Sequence, residues 1–184
     1  MNFLLSIDHS LFAIIAVTLK NRFFDVIMPV LSDAKAWRIP LVGLWLGFLL
    51  FGKKKGIKTA ILCLVAVALS DFICGSVLQP LVGRPRPLGG ITHSFPSCHA
   101  ANMFAAATVI AYYWRKYWVW LTAYGIAVAV AYSRIYTTSH YPSDVSAGAF
   151  FGICFASIAI LLYNAGEKYY LKKKTKSSRL RSSL

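Results

Sequence analysis

"SRIYTTSHYPSD", residues 133–144, separates two apolar runs, 117–134 and 143–164. A bilayer core takes roughly 20 apolar residues to cross, or as few as about 17. The stretch therefore reads as a short loop joining two membrane helices. A water-facing loop needs polar residues, but not an arginine, a histidine and an aspartate in this order. What those three meet depends on the rest of the chain.

Three further apolar runs lie upstream, over 37–52, 57–78 and 98–114, with Trp37, Arg38 and Lys53 at the interfaces of the first. Gly, Ala and Ser recur in the last three runs, as expected where helices pack closely in lipid. With no internal repeat and no long linker, residues 1–184 read as a single all-α domain, a polytopic bundle of five transmembrane helices. Residues 1–34 are interrupted by Lys20, Arg22 and Asp25. Phe23, Phe24, Ile27 and Met28 nevertheless repeat at helical period. Two short amphipathic helices at the interface are expected there, with a sixth, broken span as the alternative.

The 184 residues are 58% hydrophobic, with a mean hydropathy of +0.59, above the range of soluble domains. Twenty Lys and Arg against six Asp and Glu give a net charge of +14. The basic residues form strips between apolar runs, not a patch on a soluble fold, which argues against nucleic acid. Thirteen of the twenty fall in "GKKKGIK", in Arg115–Lys116 and in the tail over 166–184. Those segments share one side by alternation of spans, and the positive-inside rule makes it cytoplasmic. The loops over 79–97 and 135–142 then share the outer face. Cys63, Cys74, Cys98 and Cys154 have no metal-ligand spacing and read as small buried hydrophobes. "MNFLLSIDHSLF" has no positive n-region and contains Asp8 and His9, so it does not read as a cleaved signal.

The two outer loops hold the unusual chemistry: Gln79, Arg84, Arg86 and "FPSCH" (95–99) in one, Ser133, Arg134, His140 and Asp144 in the other. Pro142 is suited to opening a helix, and a spacing of four brings His140 and Asp144 onto one face. A carboxylate bonded to one ring nitrogen frees the other as nucleophile or base; a structural bond at a helix start is the alternative. Arginine forks grip phosphate oxygens in pairs, so Arg86 and Arg134 point to an anionic ligand, or else to lipid headgroups at the interface. Ser97 and the amides of 97–99, at a helix start, add donors, and His99 opposite His140 is the second candidate catalytic histidine. Asp144 is the only carboxylate of this set, too few oxygens for magnesium or calcium. His93 has no fixed spacing to the other histidines that would make a zinc site, so no metal or cofactor is expected. His93 reads as a solvated loop residue or a headgroup contact, and His9 as interfacial. Asp71, inside the second span, reads as a partner for a neighbouring helix or as a functional acid.

This set resembles the three-part signature of the type 2 phosphatidic acid phosphatase superfamily, membrane lipid phosphatases related to vanadium-dependent haloperoxidases. Ser133, Arg134, His140 and Asp144 match the third part without a gap. Pro96, Ser97, Cys98 and His99 match the second with Cys98 in place of glycine, and Gln79, Arg86 and Pro87 match the first with Gln79 in place of lysine. The resemblance covers about residues 70–165. It implies that His140, oriented by Asp144, attacks phosphorus to form a phosphohistidine, and that His99 protonates the leaving oxygen and then activates water. Arg86, Arg134 and Ser97 would hold the phosphoryl oxygens, helped by Gln79 or Arg84, with Cys98 and Ser133 beside them. Gln79 cannot neutralise a phosphate oxygen, which either weakens binding or leaves Arg84 to supply the charge, and Cys98 crowds the approach of the backbone. The expected substrate is amphiphilic: lipid A 1-phosphate, undecaprenyl diphosphate, phosphatidylglycerol phosphate or phosphatidic acid in the inner membrane of a bacterium, met at its periplasmic face. A lipid-phosphate binder or transporter would use the same arginines but needs no facing histidines. A proton-coupled channel built on Asp71 leaves the outer cluster unexplained.

Overall fold

The computed structural model describes residues 2–89 and 92–182, among which the regular structure is entirely helical. Helix α1 (Asn2–Ala13) runs into a π-helical turn, Ile14–Thr18. Asn21 then accepts a bond from the Phe24 amide at 2.9 Å and starts α2 (Arg22–Ser32). Asp33 does the same for α3 (Ala34–Phe51), accepting from the Lys35 amide at 2.9 Å. Such side-chain caps satisfy amides that the first turn leaves unpaired. Helix α4 (Lys53–Asp71) continues through a π-helical stretch, Phe72–Leu78, into the single turn α5 (Gln79–Val82). Gly83 stops it at φ +65°, the left-handed conformation that favours glycine. Helices α6 (Cys98–Tyr113), α7 (Tyr117–Tyr136) and α8 (Pro142–Ser182) complete the chain.

Among the described residues, four helical segments are long and apolar enough to cross a membrane: Ala34–Phe51, Lys53–Val82, Tyr117–Tyr136 and Pro142–Thr175. The expected third span, 98–114, is α6 with 16 residues, about 24 Å at 1.5 Å per residue. It falls short of a core about 30 Å thick and lies at the centre of the bundle, packed on α4, α7 and α8. Residues 2–32 form two short helices, neither of them among these four segments.

The core is made of small residues. Ala60, Ala66, Ala100, Ala101, Ala105 and Ala156 are fully buried, with Leu62, Val109 and Ile160 filling between them. Gly148 and Gly152 lie one turn apart on α8 and face the backbone of α6. A Cβ on Gly152 would stand 2.1 Å from the Ala101 carbonyl oxygen, and one on Gly148 would stand 2.4 Å from that of Ser97. Large apolar side chains point outward instead, among them Ile39 at 84% and Leu161 at 67% exposure. That inversion of a soluble fold suits lipid as the surrounding solvent. Asp71 accepts a bond from Asn102 on α6 at 2.7 Å, the partner-helix alternative for this residue.

The two ends of the bundle differ. At one, Lys58 of α4 pairs with Glu167 of α8 at 2.5 Å, near Trp114 and Lys55. At the other lie the buried polar residues Asp8, Ser94, Ser97, Ser133, Arg134, His140 and Asp144.

Candidate active site

The end of α7 builds the position of His140. The Arg134 carbonyl accepts both the Ser139 amide (3.0 Å) and the His140 amide (3.1 Å), closing the helix and fixing the loop against it. Pro142 then opens α8, and the Asp144 Oδ2 accepts the Tyr141 amide at 2.8 Å as a first-turn cap. The His140 ring is 1% exposed. Its Nδ1 lies 2.7 Å from the Ser94 carbonyl oxygen. A carbonyl only accepts, so Nδ1 carries the proton and the lone pair is on Nε2.

Asp144 is not the hydrogen-bond partner expected from the spacing of four. Its Oδ2 is 3.8 Å from Nδ1, beyond a hydrogen bond but close enough to act on the ring's charge. His140 precedes the first turn of α8, so the spacing of four does not set the two side chains on one helical face. Asp144 Oδ1 instead accepts from Arg84 Nη1 at 2.7 Å. Arg84 also reaches Asp8 Oδ2 at 2.6 Å and Ser143 Oγ at 2.7 Å. Arg84, one alternative for the missing lysine charge, thus has its guanidinium held between two carboxylates.

Arg134 is buried, and its Nη1 donates to the Ser32 carbonyl (2.8 Å) and hydroxyl (2.5 Å) at the end of α2. Arg86 makes one long contact, Nη1 to the Ser139 carbonyl at 3.5 Å. Among the described residues, the buried Nε of both arginines and the Ser97 hydroxyl have no hydrogen-bond partner. Buried donors are rarely left so, and here they lie on residues suited to phosphate. Ser97 starts α6, but its amide is not the free donor expected, since it bonds the Asp144 carbonyl at 2.9 Å. His99, the second residue of α6, interacts electrostatically with His140, Arg134 and Arg86. Ser133, expected near phosphate, turns its hydroxyl to the Val130 carbonyl at 2.7 Å and is a helix residue here.

Gln79 and Cys98 form one unit. The Gln79 side-chain amide donates to the Pro96 carbonyl at 3.0 Å and to Cys98 Sγ at 3.4 Å. Where the resemblance places a cation and a bare backbone, this chain holds the 96–98 turn by a neutral side chain.

Burial pushes the His140 pKa below the ordinary imidazole value. Arg134 and Arg86 add to that shift, while Asp144 works against it. The ring is neutral at pH 7. Burial would raise the Asp8 carboxyl, but hydrogen bonds from Ser143 and Arg84 outweigh it and the net shift is downward. Among the described residues, no three His, Cys, Asp or Glu side chains gather as a metal site. Asp8, Ser32 and Ser94 were missed from sequence. Asp8, a lone acid in the apolar N-terminal run, was the available signal for the first; Ser32 and Ser94 gave none.

The bundle has a lipid-suited surface, and a neutral histidine and unpaired arginine and serine donors lie buried at one end of it. Residues 88–168, a little under half of the chain, match the PAP2 superfamily. It is similar to the lipid A 4'-phosphatase of Bacteroides thetaiotaomicron, 34% identical over 152 residues, which are 72% of this chain and 66% of that protein. It is also similar to the undecaprenyl-diphosphatase of Sulfolobus acidocaldarius, 28% identical over 62% of this chain and 58% of that protein. The chain thus spans less than two thirds of the length of either relative. Its fold matches that of a transmembrane PAP2-type phosphatidylglycerolphosphate phosphatase from Bacillus subtilis, with a TM-score of 0.75, 22% identity, and 90% and 88% of the two chains covered. The chain is an integral membrane protein.

Proposed function

We propose that this chain is a metal-independent lipid phosphatase acting through a phosphohistidine. The observation that carries the reading is the set of buried, unpartnered donors, Ser97 Oγ, Arg86 Nε and Arg134 Nε, around a neutral His140 whose Nε2 bears the lone pair. Nε2 attacks phosphorus as the bond from phosphorus to the lipid oxygen breaks, and His99, protonated to imidazolium as the anionic phosphate binds, gives its proton to that oxygen. In the second step His99 takes a proton from water, the water oxygen bonds to phosphorus, and the nitrogen–phosphorus bond breaks. Inorganic phosphate leaves. Donors fixed in advance around the phosphoryl oxygens supply the stabilisation, and losing one costs roughly a hundredfold in rate.

The substrate is a lipid A phosphate or an isoprenoid diphosphate. The names of the Bacteroides and Sulfolobus relatives support these two classes. An apolar groove of about 360 Å³, lined by Trp45 and Phe48 of α3, Val67 of α4 and Met103 of α6, supports a substrate with a hydrocarbon part. The site faces outward and the basic tail lies in the cytoplasm, as the charge asymmetry argues. The test is phosphate release by detergent-purified protein from lipid A, undecaprenyl diphosphate and phosphatidylglycerol phosphate, with EDTA present, beside a folded His140→Ala variant. Release that survives EDTA and vanishes in the variant is expected. Full activity in His140→Ala sinks the mechanism, and binding without release from any lipid points to a non-catalytic lipid-phosphate binder.

A further inference from the structure

Asp8 stands on α1, 135 positions from Ser143, yet it is buried against the start of α8. Its Oδ1 accepts the Ser143 amide at 2.9 Å, and its Oδ2 accepts the Ser143 hydroxyl and Arg84 Nη2, each at 2.6 Å. Arg84 passes the connection on to Asp144, which lies beside His140. The guanidinium lies 4.1 Å from the Tyr141 ring centroid, and His9 and Phe12 of α1 pack on that ring at 5.0 and 5.4 Å. Anchoring α1 would need only apolar contacts, since buried ion pairs are often no more stabilising than hydrophobic residues of the same volume. What two carboxylates sharing one planar fork add is direction: the guanidinium is fixed in its plane, and Asp144 with it.

We propose that Asp8 is a positioning residue of the active site, holding Arg84 so that Arg84 orients Asp144 beside His140. Its kinetic consequence rests on the phosphatase reading; its effect on the His140 environment does not. The charged and titratable groups facing His140 are Asp144 of α8, Arg134 of α7, His99 of α6, and Arg86 and Arg84 of the loop, with Asp8 of α1 behind Arg84. Removing the Asp8 charge makes that surrounding more positive by one unit and leaves Arg84 facing Asp144 alone. His140 then binds its proton less tightly.

The test is Asp8→Asn, which keeps the size of the side chain and an acceptor for the Ser143 amide. We expect kcat to fall by about tenfold or more, as small misplacements of a reacting group do, with KM little changed because Arg86 and Arg134 are untouched. The acid limb of kcat/KM should move to lower pH, and Asp8→Glu should restore much of the rate. Independently of turnover, nitrogen-labelled histidine NMR in micelles should show the His140 titration midpoint moving the same way. The chain has only four histidines, and His140→Gln identifies the signal. Wild-type kcat in Asp8→Asn, or an unmoved His140 midpoint, overturns the proposal. If Asp8→Asn does not fold, Arg84→Lys carries the test, because it keeps the charge and loses the fork: a fall in kcat is expected, and a wild-type rate overturns the proposal. A wild-type protein that releases no phosphate while its His140 midpoint still responds to Asp8→Asn separates failure of the phosphatase reading from failure of this one.

Discussion

His140 carries the chemistry of the proposed site in its environment as much as in its ring. Burial and the two arginines favour the neutral form, against the pull of Asp144. Its folded pKa is lowered, so the ring supports the fold fully above the ordinary value of about 6.5, and that support is lost as pH falls through the folded value. The nucleophile follows the same sign. Activity should hold as pH drops through 6.5 and fall only below it, which a profile of kcat/KM against pH will show; a limb at or above 6.5 contradicts the neutral, buried ring. Residue types and spacing made Arg86, Ser97, His99, Arg134, His140 and Asp144 legible as one group. The bonds between them were not legible, because Ser94, Ser32 and Asp8 reach the site from 46, 102 and 135 positions away. No local period encodes such contacts.

At the scale of the element, α8 positions the site by pressing on α6. The recurrence of small residues announced close packing, but not that Gly148 and Gly152 would meet the backbone at Ser97 and Ala101. A methyl group at 152 would collide with a carbonyl oxygen, and backbone cannot rotate aside as a side chain can. Gly152→Ala should destabilise the protein by about 1–3 kcal/mol through overpacking. It should also cut kcat about a hundredfold, as a shift of about 1 Å between His99 and His140 would. Thermal unfolding and turnover of the purified variant check both, and an unchanged kcat contradicts the placement of the two histidines by this contact. The run over 98–114 coincides with α6 and its C-cap, Trp114, whose amide bonds the Ile110 carbonyl.

For the whole molecule, the separation of charge sets the proposed orientation. Leu88, 78% exposed beside the site, and Ser177, on the exposed tail, lie towards opposite ends of the bundle. The native cysteines are buried or half-buried. In intact cells, Leu88→Cys should react with a membrane-impermeant maleimide, and Ser177→Cys should react only after lysis. The opposite pattern reverses the orientation. The helical class and the basic strips were readable because lipid imposes long apolar runs and the positive-inside rule marks their ends. The role of residues 2–32 was less readable. They looked like surface anchors, yet Asp8 bonds directly to Arg84, and Ser32 to Arg134.

The contact between Asp8 and Ser143 also sets a timetable for making the protein. Chains emerge from the ribosome at about 5–20 residues per second, so Asp8 is exposed for roughly 7–27 s before its partner 135 positions later exists. During that interval α1 has no dock at α8, and Arg84 arrives with one of its two carboxylates still unmade. The end of the bundle that holds His140 is therefore completed last, when the final long helix is made. A nascent chain halted before Ser143 holds the first half of a lock and none of its keyhole.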